Sequence, residues 1–370
     1  MAAPVPWTPW PLPRLSERWA RYAAVPDRHE DHGALILRPR YLALPKEPSW
    51  ARPEWQIALA VRRVVRGLPP PDLMHAHFAM PMGGAARYLS GWLKIPYVLS
   101  LHGSDMNVWP LLHPGRLEEL RVVIAQAARV TAVSDELAAK AYALSGTRPD
   151  VLPIGIDRNT FRLNMRPKDD ARRVLGLAPE AFIVLFVGNL LPEKGVRELV
   201  DAVVTLGEPF HAVLVGRGPL HRYGVERTTT TAASRISYPG AKTNPEVALY
   251  MSASDALILP SRSEGLPTVL VEAGAANLPV VASAVGGIPD LLGNDRGFLL
   301  PDASADAISS VLRRLRNDPG EARARAARLH AFTEIPYDVD KNAARLSHLY
   351  AEVANQWGVR GNGLAPSIQK

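Results

Sequence analysis

The chain has 370 residues, a hydrophobic fraction of 47% and no cysteine, which suits two ordinary domains with sizeable cores and excludes disulfides and thiolate metal sites. No stretch approaches the roughly 18 uninterrupted apolar residues of a membrane span, and Met1-Ala2-Ala3-Pro4-Val5-Pro6 lacks the basic-then-apolar opening of a signal peptide. Of the net charge of +7, residues 1–165 carry most, with 20 Lys and Arg against 14 Asp and Glu, and they hold seven of the eight tryptophans. That balance suits peripheral contact with anionic lipid or an acidic, lipid-linked substrate at the cytoplasmic membrane face. It equally suits an Arg-rich surface over a Trp-containing core. No nucleic-acid motif accompanies it.

The first 70 residues are proline-rich and offer no strand–helix unit before residue 34. From residue 72 short apolar runs alternate with helical patterns. Strands are expected at 72–77, 96–101, 130–133 and 151–154, with helices at 82–93, 116–127 and 135–144. The charged stretch Arg162 to Arg173 is the linker candidate. A second series follows, with strands at 182–187, 212–215, 236–238, 256–259, 279–282 and 297–300. Helices are expected at 194–206, 245–253, 268–277 and 303–316, and the Thr228–Thr231 run reads as a polar loop. Such alternation argues for two doubly wound parallel sheets facing a cleft. The expected domains are 1–165 and 166–335, followed by a C-terminal helix and tail, 336–370, packing back toward the first.

Five segments after strands carry chemistry. Leu259-Pro260-Ser261-Arg262-Ser263-Glu264-Gly265-Leu266-Pro267-Thr268 leads into a helix bearing Glu272, so two carboxylates separated by seven residues sit beyond the carboxyl end of a strand, where open α/β sheets bind ligands. They suit the hydroxyls of a polyol or ribose, although the spacing alone is common. Gly188-Asn189 and Lys194-Gly195 bracket a strand-to-helix junction fit for a diphosphate, or for a plain surface lysine. Gly216-Arg217-Gly218 and Gly286-Gly287 are further strand-end turns at the same sheet edge. In the first domain His102-Gly103-Ser104-Asp105 follows a strand; His102 suits a substrate hydroxyl or a structural role, with Asp105 capping locally. His75 and His77 share a strand face, and a metal there lacks an evident third ligand beyond His102.

Together these segments resemble the family 4 retaining glycosyltransferases of the GT-B fold, over residues 70 to 350. The Glu-x7-Glu motif matches Glu264 and Glu272, the Lys before Gly matches Lys194, and His-Gly-x-Asp matches His102 and Asp105. Gly155-Ile156-Asp157 with Phe161, and Gly286-Gly287-Ile288-Pro289-Asp290, match two further signatures. The resemblance implies a nucleotide-diphosphate sugar as donor, no metal or other cofactor, and a glycan or lipid-linked acceptor. It implies Glu264, Lys194 and His102 in the transfer, with Lys194 on the diphosphate, Glu264 on the sugar and Glu272 on the ribose. Gly188, Asn189, Gly216, Arg217, Arg262 and Gly265, Leu266, Pro267 and Thr268 would line the donor site, and His77 and Asp105 the acceptor side.

Two departures follow. Asn189 stands where the family carries an Arg, so Arg262 or Arg217 would have to supply the second phosphate cation. Residues 1–12 look like the end of the family's second strand, so the first strand, its Gly-rich turn and helix are expected to be absent from this chain. A degenerate GT-B protein that binds a nucleotide-sugar or a partner without catalysis is the alternative.

Overall fold

A computed structural model describes residues 1–8, 17–43, 52–221, 223 and 235–358. Its contacts cluster into two units, Met1–Ala132 with Ala138–Val151 and Leu346–Lys370, and Val133–Leu137 with Leu152–Arg345. The Thr228–Thr231 run and the tail beyond residue 358 lie outside the described residues.

In the first unit the early segment holds β1 (Val5–Trp7), a helix Glu17–Ala23, and strands β2 (Arg28–Asp31), β3 (Ala34–Leu37) and β4 (Arg40–Leu42). β1 pairs in parallel with β4, and β2 with β3 as an antiparallel hairpin. The expectation of no strand–helix unit before residue 34 is therefore corrected. β1 is only three residues long and finds its partner 35 positions downstream, so no local periodicity marks it. The hairpin turns on His32 and Gly33, both at positive φ, as a two-residue turn of the primed type requires.

The rest of this unit is a parallel sheet in the order β5-β6-β7-β8 (Met74–His77, Tyr97–Leu101, Arg129–Ala132, Asp150–Val151). All five residues of β6 are buried, which fits a central parallel strand covered on both faces. Helices Pro53–Val65 and Gly84–Leu93 bury Ile57, Ala58, Ala85 and Leu89 in one cluster. The end of helix Val339–Gln356 packs Leu349 and Val353 against Val98, and Glu352 pairs with Arg129 at 2.9 Å.

The second unit is built on a six-stranded, all-parallel sheet. Its strands are β9 (Phe182–Val187), β10 (Phe210–Val215), β11 (Ile236–Gly240), β12 (Ala256–Leu259), β13 (Val280–Ser283) and β14 (Phe298–Leu300), in the order β11-β10-β9-β12-β13-β14. The order reverses direction between β9 and β12, which makes that junction the topological switch point. Ile183 to Phe186 and Ala256 to Ile258 are fully buried. The expected linker 162–173 is instead mostly helical, within Arg158–Leu163 and Lys168–Leu175. Its charges are used structurally. Buried Arg172 donates to Asp255 at 2.7 Å and to the Ala253 carbonyl at 3.0 Å, a pairing that sequence proximity cannot reveal.

Candidate active site

At the carboxyl edge of the six-stranded sheet, the loops after β9, β10, β12 and β13 are joined by backbone hydrogen bonds. Gly188 N–H donates to Val215 O at 3.0 Å, Leu190 N–H to Arg217 O at 2.9 Å, Arg262 N–H to Glu193 O at 2.8 Å and Gly287 N–H to Gly265 O at 2.7 Å. Four loops therefore form one layer across the switch point. Gly195 is required in it: its φ is +69°, and a Cβ there would overlap the carbonyl of Pro260. This contact presses the loop carrying Lys194 onto the loop carrying Glu264.

Lys194 Nζ donates to Glu264 Oε1 at 2.6 Å, and the two side chains are 23% and 10% exposed. Both are thus largely withdrawn from solvent yet still reach the loop surface. Glu272 lies on the helix Thr268–Ala275. Burial pushes its carboxyl above the usual carboxylate range, and no cation or hydrogen-bond donor answers it among the described residues. A carboxylate held this way is a ready acceptor for ligand hydroxyls. The first amides of that helix have no carbonyl one turn back. Gly265, Pro267 and Thr268 are partly exposed beside them, while Leu266 is buried.

Asn189 and Arg217 are exposed at the same edge, and the Arg217 guanidinium has no partner among the described residues. Arg262 is differently used: it pairs with Glu198 and donates to Pro192 O at 3.0 Å. Its charge goes into fastening two loops, and nothing in the sequence marks Glu198 as its partner. Gly188 and Gly216 sit in the same layer.

In the first unit, His102 follows β6 and His77 ends β5. His77 Nδ1 and His102 Nε2 are 2.9 Å apart, with the Phe78 ring 4.6 Å from that of His102. Phe78 takes φ +71°, a conformation with no sequence signal. Burial first, then His77, push His102 below the usual imidazole range, opposed by Asp105. Burial also lowers His77. Asp105 is buried and accepts from Gly103 N at 2.8 Å, Ala79 N at 3.0 Å and His102 N at 3.2 Å. It is the peg that fixes the two strand-end loops, not a group facing a ligand. No cluster of three or more His, Cys, Asp or Glu fit for a metal occurs among the described residues.

Residues 8–160 match the Glycosyltransferase Family 4 model and residues 167–329 the model for Glycosyl transferases group 1. The chain is 37% identical to the putative teichuronic acid biosynthesis glycosyltransferase TuaC of Bacillus subtilis strain 168, over 95% of this chain and 88% of that protein. The fold is that of sucrose-phosphate synthase from Thermosynechococcus elongatus, with a TM-score of 0.75 at 22% identity over 90% and 87% of the two chains. It is also that of Anabaena HepE, solved with UDP, with a TM-score of 0.71 at 20% identity over 86% of each chain; HepE has been solved with UDP-glucose too. With its two parallel α/β units and the Glu264–Glu272 and Lys194 loops in one layer, this chain belongs to the family 4, group 1 glycosyltransferases and has the GT-B fold.

Proposed function

We propose that this glycosyltransferase moves a sugar from a nucleoside-diphosphate sugar, with retention of anomeric configuration and without a metal, to a glycan or lipid-linked acceptor in polysaccharide assembly. The observation that carries this is the Lys194–Glu264 pair at 2.6 Å beside the half-buried Glu272, which has no partner among the described residues, at the switch point of the parallel sheet. Glu272 takes the ribose hydroxyls. Lys194 exchanges Glu264 for the diphosphate, and Glu264 then accepts from hydroxyls of the transferred sugar. Lys194 and the helix-start amides near Thr268 stabilise the charge that grows on the leaving diphosphate, which is electrostatic catalysis. Arg217 supplies the second cation at the position where Asn189 cannot. His102 contacts the sugar, and the leaving phosphate takes the acceptor's proton. UDP in the HepE site and the polysaccharide named for TuaC support the donor and acceptor classes.

The deciding experiment is a thermal-shift screen of nucleotide sugars followed by donor turnover with and without glycan acceptors. A stabilising UDP-sugar and acceptor-dependent turnover are expected. If Lys194→Ala and Glu264→Ala change neither binding nor turnover, the site is wrongly assigned.

A second reading concerns the membrane. Leu111 and Leu112 are 80% and 66% exposed in a short helix of the basic first unit, an apolar pair suited to the interface of an anionic bilayer. No helix among the described residues is long and apolar enough to cross a membrane, and the contact proposed here is a peripheral one. Co-sedimentation with phosphatidylglycerol vesicles is expected, and to fall for Leu111→Ser/Leu112→Ser. Equal sedimentation with neutral vesicles would refute it.

A further inference from the structure

The three histidines of the first unit form one connected array. His75 has both ring nitrogens engaged, Nε2 with Ser100 Oγ at 2.8 Å and Nδ1 with the Tyr350 hydroxyl at 2.5 Å. Ser100 Oγ is in turn 2.6 Å from Thr131 Oγ1. These bonds from two neighbouring strands and the C-terminal helix leave the His75 ring no freedom to turn. The His77 ring lies against it, centroids 4.3 Å apart at 33°, and His77 Nδ1 meets His102 Nε2. His102 is therefore held at one nitrogen, and its Nδ1 is left without a protein partner among the described residues.

A hydrogen bond between two imidazoles carries one proton on the shared axis, so the tautomer of one ring dictates that of the other. We propose that His77 is a positioning residue for glycosyl transfer: through the Nδ1–Nε2 bond it holds His102 in one orientation and one neutral tautomer, so that Nδ1 of His102 addresses the sugar. This rests on His102 contacting the donor sugar. The groups facing the pair are His75 on β5, Asp105 at the backbone of His102, and Tyr350 beyond His75. The array is neutral at pH 7. Burial lowers the pKa of each member, and repulsion from neighbouring rings adds to it at His75 and His102. Double protonation would set two N–H groups against each other and break the bond.

The test uses the full chain with its nucleotide-sugar donor. Asparagine places an amide where His77 Nδ1 lies, keeping the hydrogen bond without a titrating ring; leucine removes it. His77→Asn is expected to retain kcat within about threefold, whereas His77→Leu loses roughly 10–100-fold in kcat with donor KM little changed, as misorientation of a contact group does. In His77→Asn the acid limb of the kcat/KM profile moves to higher pH, because a repelling neighbour is gone. Nitrogen-15 imidazole spectra read the pair directly. One neutral tautomer of His102 is expected in the wild type and a mixture in His77→Leu. Wild-type kcat and an unchanged His102 tautomer in His77→Leu would overturn the proposal. Full activity in His102→Ala would instead overturn the sugar contact, with the spectra still deciding the pair.

Discussion

The ammonium of Lys194 rests 2.6 Å from the carboxylate of Glu264 across two loops separated by 70 residues of chain. On the proposed reading, the cation that would bind phosphate and the carboxylate that would bind the sugar thus lie against each other. On that reading a diphosphate sugar would satisfy both at once, the cation gaining phosphate oxygens while the carboxylate gains hydroxyl donors. The exchange needs little movement of the backbone, which the interlocked loops already fix.

Lys194→Ala is expected to weaken binding of the nucleoside diphosphate by roughly 10–100-fold, the range for a lost charge-assisted hydrogen bond of about 1.5–3 kcal/mol. Glu264→Gln should leave that affinity within about threefold and lower transfer by about 100-fold or more. Calorimetric titration and initial rates on the two variants separate the roles. Equal effects of both on nucleotide affinity would contradict the assignment.

Glu272→Gln tests stability against function. A half-buried carboxylate without a partner among the described residues is costly, and its raised pKa records that cost. Folded-state proton affinity is higher than in the unfolded chain, so the penalty is present above the unfolded carboxyl pKa and disappears as pH falls below it. At pH 7 the neutral amide should raise the unfolding free energy by about 1 kcal/mol while weakening nucleotide binding. Melting curves with and without nucleotide measure both quantities.

Gly195→Ala should be damaging through the backbone. A left-handed conformation costs an alanine about 1 kcal/mol, and the added Cβ would strike the Pro260 carbonyl, bringing the total to about 2–3 kcal/mol. Gly176→Ala is the control: its φ is +66° with open space around the Cβ, so only the conformational cost applies. Urea midpoints of the two variants should differ, and nucleotide binding should fall only for Gly195→Ala.

His75 gives a pH dependence. Burial first, then its two histidine neighbours, lower its pKa from 6.5 to about 4. Between those values the unfolded chain binds a proton that the folded chain does not, so stability is full above pH 6.5 and declines as pH falls toward 4. The contribution is on the order of 3 kcal/mol. His75→Gln, which can keep one of its two hydrogen bonds, should flatten the decline between pH 6.5 and 4 in thermal melts. An unchanged slope would remove His75 as its cause.

Much of the fold is legible because parallel strands buried on both faces must be continuous apolar runs. Phe182–Val187 and Ala256–Leu259 can be read to the residue. The early strands escape because β1 is stabilised by a partner far along the chain. The hairpin has a signal that is easily passed over: His32-Gly33 between two four-residue strands. The segment 162–173 misleads for a related reason. Its charge resembles a linker until Asp255, over 80 residues away, takes up Arg172.

By itself the sequence determines the family, the two parallel α/β units and the residue types available at each strand end, because those follow from local pattern and motif order. Only the tertiary structure decides what each charge does. It sets Lys194 against Glu264, leaves Glu272 unanswered, spends Arg262 on Glu198, and turns Asp105 into a backbone peg. Partners of buried polar groups are chosen by distance in space, and no spacing along the chain encodes that distance.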